Sequence, residues 1–464
     1  MSAPKRILIL GGGFGGLAVA RELERLLPRR GDVGDVQITL VNRDNFFLFT
    51  PMLHEVAASD LDITTIVNPL RKLLRRTSLF TGTVDRIDTA ARTVTVSHAE
   101  GEHAHELRYD HLVIALGAQT NFFGIPGLAE HAITMKTLGD AIELRNQLIR
   151  HLEEADFECN AEIRRPLLTC VVAGGGFAGV ETVAAVNDFL REALPFYRNL
   201  SRDDLRVMVV HSGPHLLPEL GEELGRYTRE RLAERGVEVV LDTRVGGVDR
   251  GVVSLSDGRH VDARTVVWTA GNAAHQLLAD IPCMTERGRI VVDDCLRVRG
   301  LPDVWALGDC AHIPDPATGG AFPPTAQHAL REGRCAARNL VAALRGEPPT
   351  PFAFSTIGLL AAIGRRTGVA NILGVQFSGF VAWWLWRTIY LAKLPRFEKK
   401  LRVALDWTLD VLFSKDLVQF GVPHGTRRAP RGAARGESGN QFYGAAHPVD
   451  TRRETRTEAQ LAHT

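Results

Sequence analysis

Short apolar runs alternate with amphipathic stretches along most of the chain, and two of these runs end in a cluster of glycines. The apolar run 7–10 leads into the first cluster, 11–16, and the run 170–173 leads into the second, 174–179. Each cluster opens an apolar stretch with helical spacing. In a strand, tight turn and helix of this kind, glycine lets the backbone approach a pyrophosphate at the helix N-terminus. A single match also occurs as an ordinary turn, whereas two in one chain predict two dinucleotide sites.

The elements around the two clusters predict an α/β fold with two Rossmann-like dinucleotide-binding domains. The first domain is predicted to comprise residues 1–124 and, after the chain returns to it, 295–350. The second domain comprises 125–294. A C-terminal helical membrane-interface segment follows at 351–420, and 421–464 is predicted to be a disordered tail because it is rich in arginine, glycine and polar residues without periodicity.

Composition and charge narrow the function classes. The 464 residues contain 55 lysines and arginines against 54 aspartates and glutamates, so no overall positive field attracts nucleic acid. The six cysteines show neither a Cys-x-x-Cys nor a metal-ligand spacing, which predicts thiols of a reducing compartment and no metal site. The apolar start is a strand that runs into the glycine turn and not a signal peptide. We therefore expect the body of the protein in the cytoplasm.

Four further motifs accompany the two glycine clusters. Val-Ile-Ala-Leu-Gly at 113–117 with Thr120 lies between the clusters, and the other three follow them: Val-Val-Trp-Thr-Ala-Gly at 266–271, Val-Trp-Ala-Leu-Gly-Asp at 304–309, and Pro-Pro-Thr-Ala-Gln at 323–327. With the aromatic C-terminal segment, this order resembles the type II, non-proton-pumping NADH:quinone oxidoreductases over about residues 5 to 418. The resemblance implies a flavoprotein fold with two dinucleotide-binding domains, non-covalent FAD in the first, NADH in the second, and quinone reached from the membrane side.

The resemblance also assigns cofactor contacts in each domain. The predicted FAD contacts are Gly11, Gly13, Phe14, Gly15, Gly16, Asn42, Arg43, Val84, Ala115, Gly117, Asp309, Ala326, Gln327 and His328. The predicted contacts with the nicotinamide nucleotide are Gly174, Gly176, Phe177, Gly179, Glu181, His211 and Gly271.

Two features of the first domain favour a flavin. Asp309 follows a glycine at a strand end, where its carboxylate would hold ribityl hydroxyls, although a carboxylate there also serves as a turn or helix cap. Gln327 and His328 lie in the first turn of a helix that begins after Pro323-Pro324-Thr325. If the N-terminus of that helix faces the isoalloxazine, it stabilises the negative charge that develops on reduction. Proline pairs also precede helices for purely structural reasons.

Glu181 lies two residues past Gly179, in the predicted first turn of the second dinucleotide helix. A glutamate there often compensates the helix dipole. A carboxylate beside a pyrophosphate would be repelled, so the side chain should point elsewhere, and the resemblance places it near the nicotinamide and flavin rings. Glu181 and Gln327 are therefore the predicted catalytic residues.

The residues that end the second strand of each domain depart from the usual pattern. An acid commonly stands there and binds ribose hydroxyls, but this chain has Asn42 and His211. Asn42 predicts a weaker or rearranged adenosine contact. His211 with Ser212 offers donors to a 2′-phosphate in place of repulsion, which predicts modest discrimination between NADH and NADPH, unless His211 is simply a solvated strand-end histidine.

The segment 351–420 carries an aromatic signal. Residues 377–394 are apolar on nearly every helical face, but Arg387 near the middle would cost about 2.5 to 3.5 kcal/mol at a bilayer centre, so a spanning helix is disfavoured. Pro395 opens a second, amphipathic helix. The pair predicts an interfacial anchor on anionic lipid, with a buried hairpin or a dimer contact as the alternative. The residues involved are Trp383, Trp384, Trp386 and Trp407, the apolar face Phe397, Leu401, Ala404, Leu405 and Leu412, and the cations Lys399, Lys400 and Arg402.

Together these features predict a quinone oxidoreductase that oxidises NADH, with NADPH as the alternative donor, and lies peripherally on the cytoplasmic side of the cell membrane. Its predicted partners are a membrane quinone and the lipid of the inner face of the membrane. The sequence is also compatible with a homodimer. Without a spanning helix, no proton pumping is expected. Scattered cysteines such as Cys159 and Cys335 keep a sulfide:quinone oxidoreductase as the alternative, and the unusual Asn42 and His211 keep a nucleotide-binding redox sensor.

Overall fold

Helices cover the faces of two central sheets, as expected for parallel strands that are buried on both sides. The computed structural model describes residues 4–27, 35–98, 101 and 103–420, and the predicted tail 421–464 lies outside the described residues. The helices of the described residues are α1 Phe14–Leu26, α2 Leu53–Ala57, α3 Leu70–Leu73, α4 Leu128–His131, α5 Leu138–Phe157, α6 Ala161–Leu167, α7 Phe177–Ala193, α8 Glu222–Glu234, α9 Ala326–Arg345, α10 Gly379–Lys393 and α11 Phe397–Leu412.

The strands are short and most lie at the ends of apolar runs. They are β1 Lys5–Leu10, β2 Val36–Asn42, β3 Phe46–Leu48, β4 Val67–Pro69, β5 Ser78–Thr81, β6 Thr83–Asp88, β7 Thr93–His98, β8 His103–Arg108, β9 His111–Ile114, β10 Ala118–Thr120, β11 Ile133–Thr134, β12 Thr169–Ala173, β13 Arg206–Val210, β14 Val237–Val240, β15 Val245–Asp249, β16 Val252–Leu255, β17 His260–Asp262, β18 Thr265–Trp268, β19 Asn272–Ala274, β20 Thr285–Glu286, β21 Arg289–Val291, β22 Val304–Ala306, β23 Ala311–His312, β24 Gly358–Ala362, β25 Gly368–Ile372 and β26 Val375–Ser378.

Two five-stranded parallel sheets carry the two glycine clusters. The first has the order β22-β9-β1-β2-β5, and the second has the order β11-β18-β12-β13-β14. In each sheet the strand before the glycine cluster, β1 or β12, is central and pairs in parallel with its neighbours on both sides. The glycine clusters therefore lie at the carboxyl edge of each sheet, where α/β folds bind ligands.

The chain returns to the first sheet late in the sequence. β22 pairs in parallel with β9, and α9 then packs against α1. A Cβ on Gly333 of α9 would lie 2.5 Å from the carbonyl oxygen of Gly15, so glycine is needed for the helices to approach this closely. This contact holds the start of α1 against the late part of the chain.

The C-terminal segment differs from the predicted helix pair because three strands precede the helices. β24, β25 and β26 form an antiparallel sheet, and α10 packs on it. The turns place Gly364 and Gly374 at φ of +86° and +85°, a region that glycine adopts readily. The sequence predicts only helices here, because apolar residues are so frequent in this segment that no alternation typical of strands stands out. The helices α10 and α11 themselves occur where they were predicted.

Candidate active site

Both glycine loops have the same tight backbone turn. Gly11 and Gly174 have φ of +101° and +121°. A Cβ on Gly16 or Gly179 would lie 1.8 Å or 1.7 Å from the carbonyl oxygen of the first glycine of its loop. Any larger residue at these positions would force the helix away from the strand, so both loops require glycine.

The helix starts behind the loops are open to a ligand. Among the described residues, no atom lies within 4 Å of a Cβ built on Gly13 or Gly176. These glycines are the N-caps of α1 and α7, and neither helix has a side-chain cap or an acidic residue in its first turn. Phe14 and Phe177 are the first helical residues. The free N–H groups fit a pyrophosphate at both helix starts.

Asn42 and His211 take equivalent positions and both support a glycine loop. The backbone N–H of Gly12 donates to Asn42 Oδ1 at 2.7 Å, and Asn42 Nδ2 donates to the Asp44 carbonyl at 2.7 Å. The N–H of Gly175 donates to His211 Nδ1 at 3.1 Å. Each side chain therefore fixes the backbone of its glycine loop. The acid that usually ends this strand would instead bind ribose hydroxyls.

Two carboxylates near His211 were missed by the sequence analysis. Burial lowers the pKa of His211, while the charges of Glu219 and Asp242 act in the opposite direction. Glu219 lies in the short 3₁₀ helix Pro218–Leu220 and Asp242 follows β14, so no local motif connects them with the strand end. They add negative charge around His211.

Asp309 lies in a 3₁₀ turn, Gly308–Cys310, at the end of the first sheet's returning strand. Burial raises the pKa of Asp309, and Lys136 and Arg289 lower it. Within the described part of the chain, no side-chain hydrogen bond occupies its carboxylate, which disfavours a capping role. Glu332, which was not predicted from the sequence, fixes this turn because its Oε2 accepts a hydrogen bond from Gly308 N at 2.8 Å. Burial raises the pKa of Glu332 to about 7.

The start of α9 serves several purposes. Thr325 is its N-cap, and Ala326 is its first residue. The His328 ring is buried, bonds to Thr325 Oγ1 at 2.8 Å and packs on Phe354, so its side chain stabilises the helix start. Gln327 Nε2 donates to the Gly358 carbonyl at 3.2 Å and joins α9 to β24.

Glu181 connects the second dinucleotide helix with the C-terminal segment. It is the fifth residue of α7, so it lies one turn further in than predicted, and it is only 8 % exposed. Its Oε1 accepts hydrogen bonds from Ala362 N at 3.1 Å and from Trp386 Nε1 at 2.9 Å. Its Oε2 lies 3.7 Å from His54 Nδ1. The side chain thus points away from the glycine loop, as expected.

The protonation states at Glu181 follow from burial. Desolvation raises the pKa of Glu181 to about 8, against the lowering effect of the hydrogen bonds from Ala362 and Trp386. Desolvation also lowers the pKa of His54 to about 3. At neutral pH the glutamate therefore holds a proton and the histidine is neutral, which is the state of a proton donor.

A further buried carboxyl group, Glu55, was also not predicted. Its two oxygens accept from Trp407 Nε1 at 3.2 Å and 3.3 Å. The Arg387 guanidinium lies over the rings of Trp383 and Trp407, at 4.3 Å and 4.5 Å from their centroids. The adjacent pair His54-Glu55 is the one feature of the sequence that could have drawn attention to this group. The sequence near the pair does not indicate that α2 contacts the C-terminal helices.

The remaining predicted contacts lie on several separate elements. A Cβ on Gly11 would lie 2.2 Å from the Ala115 carbonyl oxygen, so β9 ends directly beside the first loop. Gly117 and Gly271 have φ of +69° and +76°. Arg43 is exposed and lies 3.6 Å from Asp44. Val84 is buried in β6.

The lipid-facing role predicted for several aromatic and basic residues is wrong for three of them. Trp386 and Trp407 are only 1 % and 7 % exposed, because their indole N–H groups bind the buried glutamates. Lys399 is buried, and its Nζ donates to the Thr64 carbonyl. These residues hold the helix pair against the rest of the protein.

An apolar surface nevertheless remains on the helix pair. It consists of side chains that are exposed on one side of α11 and at the start of α10. No helix among the described residues is long and apolar enough to cross a membrane. The exposed apolar face is formed by Phe380, Val381, Trp384, Phe397, Leu401, Leu405, Leu409, Leu412 and Phe413.

Comparisons with known proteins agree with this geometry. Residues 5–333 match the pyridine nucleotide-disulphide oxidoreductase family, and 357–416 match the NDH2 C-terminal domain. The type II NADH:quinone oxidoreductase Ndh of Mycobacterium tuberculosis is 34% identical over 429 residues, covering 88% of this chain and 89% of the relative. A probable NADH dehydrogenase of Dictyostelium discoideum is 30% identical, covering 90% and 91%. The chain therefore belongs to the type II NADH:quinone oxidoreductase family.

Solved structures support the fold. NDH2 from Plasmodium falciparum in complex with NADH has a TM-score of 0.83 at 20% identity and covers 90% of this chain and 100% of its own. The sulfide:quinone oxidoreductase from Aquifex aeolicus has a lower TM-score of 0.67 at 20% identity. The α/β fold and the family predicted from the sequence are confirmed, and the sulfide-oxidising alternative is less well supported.

Proposed function

We propose that this chain oxidises NADH and reduces a membrane quinone, with FAD as its flavin. The observation that carries the proposal is the position of Glu181. Glu181 lies on α7, the helix that follows the second glycine loop. Its carboxyl group accepts hydrogen bonds from Ala362 and Trp386 of the C-terminal segment. A single protonated group thus joins the predicted nicotinamide side to the part of the chain that resembles the NDH2 C-terminal domain.

The first sheet is the proposed FAD domain, 1–124 and 295–350. The open helix start at Gly13 supports pyrophosphate binding, and Asp309 would hold ribityl hydroxyls while Glu332 fixes its turn. Flavin bound there would supply hydride acceptance and two-electron transfer, and the residues named here would bind and orient it. Gln327 ties the start of α9 to β24 of the C-terminal segment.

The second sheet, within 125–294, is the proposed nicotinamide-nucleotide domain. Gly176 leaves the start of α7 open to the pyrophosphate. The neutral His211 ring fixes the loop, and the nearby Glu219 and Asp242 disfavour a 2′-phosphate. These charges support NADH as the better donor.

The exposed apolar face supports peripheral binding to lipid. Burying side chains of this size yields about 1.5 to 3 kcal/mol each, so a few are enough to hold the protein on a membrane. The face is part of the segment that contacts Glu181, which brings a lipid-dissolved quinone close to the proposed site. The described cysteines are free thiols, which supports a location on the cytoplasmic side.

Steady-state kinetics test the proposal. The purified protein is expected to oxidise NADH with a short-chain quinone as acceptor and to use NADPH less well. Sulfide in place of NADH should give no quinone reduction. Quinone reduction by sulfide and not by NADH would contradict the proposal and favour the alternative.

A further inference from the structure

Three histidines lie on one face of the antiparallel sheet β6-β7-β8. His98 ends β7 and pairs with His103 of β8, and His105 pairs with Val96. Paired residues of an antiparallel sheet share a face, and alternate residues of a strand do so too. The three histidines therefore continue the inner face of the sheet beyond the buried Val94 and Val96.

Two of the three imidazole rings are in direct contact. The rings of His98 and His105 stack at a centroid distance of 5.0 Å with an interplanar angle of 18°, and their Nε2 atoms lie 2.9 Å apart. The His103 ring lies beside this pair, with its centroid 5.4 Å from that of His98. Two neutral imidazoles at this distance share one hydrogen between the two nitrogens.

Phe80 of β5 supports the pair from the protein side. Its ring centroid lies 5.4 Å from that of His105 and 6.4 Å from that of His98. Gly82 lets β7 pack this closely, because a Cβ there would lie 2.6 Å from the Ser97 carbonyl oxygen and 3.2 Å from the Phe80 ring. His98 is half-buried and His105 is exposed, so the pair is held in place and is still reached from solvent.

The separation of the two Nε2 atoms suits a transition metal. Imidazole nitrogens bind Zn²⁺ at about 2.0 to 2.1 Å, so two such ligands at angles of about 90° to 110° lie about 2.8 to 3.4 Å apart. Mg²⁺ and Ca²⁺ prefer oxygen ligands, whereas imidazole suits Zn²⁺, Ni²⁺ and Cu²⁺. Both nitrogens can bind at once when each ring carries its hydrogen on Nδ1, so a neutral pair changes tautomer and releases no proton.

We propose that His98 and His105 bind one divalent transition-metal ion of the Zn²⁺ type through their Nε2 atoms. The metal takes the place of the shared hydrogen, water fills the remaining positions, and His103 lies at the edge of the site. These histidines are not among the predicted cofactor contacts, so the inference is independent of the proposed function. The cysteine spacing predicted no metal site, and this one was not predicted because only the pairing of β7 with β8 brings the histidines together.

Counting bound zinc tests the site. The untagged full-length protein is dialysed against ZnCl₂, and the bound metal is measured for the wild type, His98→Gln and His105→Gln. Glutamine keeps a polar side chain but is a poor zinc ligand. We expect each variant to lose one zinc ion, or to bind it about tenfold more weakly or worse, relative to the wild type. His131→Gln changes an exposed histidine of α4 and should keep the wild-type count.

X-ray absorption of the protein loaded with one equivalent of zinc identifies the ligands. Nitrogen and oxygen neighbours at about 2.0 to 2.1 Å, with the outer scattering of imidazole, are expected. A sulfur neighbour at about 2.3 Å would place the metal on a cysteine and overturn the assignment. A large excess of MgCl₂ should not displace the zinc.

The variants decide between a built site and scattered surface binding. Equal zinc binding in the wild type, His98→Gln and His105→Gln would overturn the proposal, and so would an equal loss in His131→Gln. Circular dichroism checks that each variant is folded. If the half-buried His98→Gln does not fold, the exposed His105→Gln decides the question alone, because its side chain is not part of the buried core.

Discussion

At the residue scale, the site is built on carboxyl groups whose protonation is set by burial more than by neighbouring charges. Glu181 and Glu55 both have a pKa of about 8 because desolvation outweighs the hydrogen bonds that stabilise their ionised forms. Such carboxyl groups destabilise the folded protein at alkaline pH, because they must then ionise while buried. At neutral pH they hold a proton that a reaction can use. This balance leads to a prediction about stability.

Glu181→Gln should stabilise the protein at alkaline pH. The pKa of about 8 in the folded state lies above the ordinary glutamate pKa of 4.5, so the stability linked to Glu181 is present below about pH 4.5 and lost as the pH rises through 8. Glutamine keeps an oxygen for Ala362 N and Trp386 Nε1 without ionising. We expect a gain on the order of 2 to 4 kcal/mol in the free energy of unfolding at pH 8.

Denaturant unfolding of the apoprotein at pH 5 and pH 8 measures this gain. The exposed Glu398→Gln is the matched control, with little expected change at either pH. The prediction is wrong if Glu181→Gln shows the same pH dependence as the wild type.

Asp309→Ala should weaken flavin retention. A charge-assisted hydrogen bond contributes about 1.5 to 3 kcal/mol, which corresponds to roughly tenfold to over a hundredfold weaker binding. The absorbance ratio of flavin to protein after purification reports the loss. Asp315→Ala, in an exposed turn, should keep its flavin. Full flavin content in Asp309→Ala would assign this residue to the turn alone.

His211→Glu should increase the preference for NADH over NADPH. A glutamate at this strand end can accept the Gly175 N–H and bind ribose hydroxyls, and it adds a third negative charge against a 2′-phosphate. The ratio of kcat/KM values for the two coenzymes measures the change. An unaltered ratio would show that residue 211 does not contact the adenosine ribose of the coenzyme.

At the element scale, the exposed face of α11 should be separable from the dinucleotide sites. Replacing Phe397, Leu401 and Leu405 with serine removes apolar area that contributes about 1.5 to 3 kcal/mol per side chain to lipid binding. The variant should move to the soluble fraction, keep its flavin and still be reduced by NADH. Phe157→Ser, an equally exposed change on α5, should leave the protein on the membrane. Aggregation or flavin loss in the triple variant would instead indicate a protein contact.

The elements also show what the sequence could predict. The glycine loops were predictable because a strand, a tight turn and a helix start are adjacent in the chain. Glu181 was predictable for the same reason, because it follows the second glycine loop by two residues. The strands β24 to β26 and the residues Glu55 and Glu332 were missed, because their roles arise from contacts between distant segments. The tryptophans at 386 and 407 were misassigned since apolar density cannot distinguish a lipid-facing ring from one that binds a buried acid.

At the scale of the whole molecule, α2, α7, β24 and α10 meet at the buried carboxyl group of Glu181. The described residues up to Phe420 belong to one compact unit. Within it, α2 contacts α7, and α10 packs on β24, which also contacts α7. The proposed donor side and acceptor side are thus linked through Glu181, which explains how one chain can serve both halves of the reaction.

The most direct measurement of this account is an anaerobic titration of the yellow purified protein. One equivalent of NADH per flavin should bleach the flavin absorbance, and one equivalent of a short-chain quinone should then restore it. Acid extraction should release FAD. A protein without flavin, a flavin that NADH does not bleach, or a bleached flavin that quinone does not restore would contradict the account.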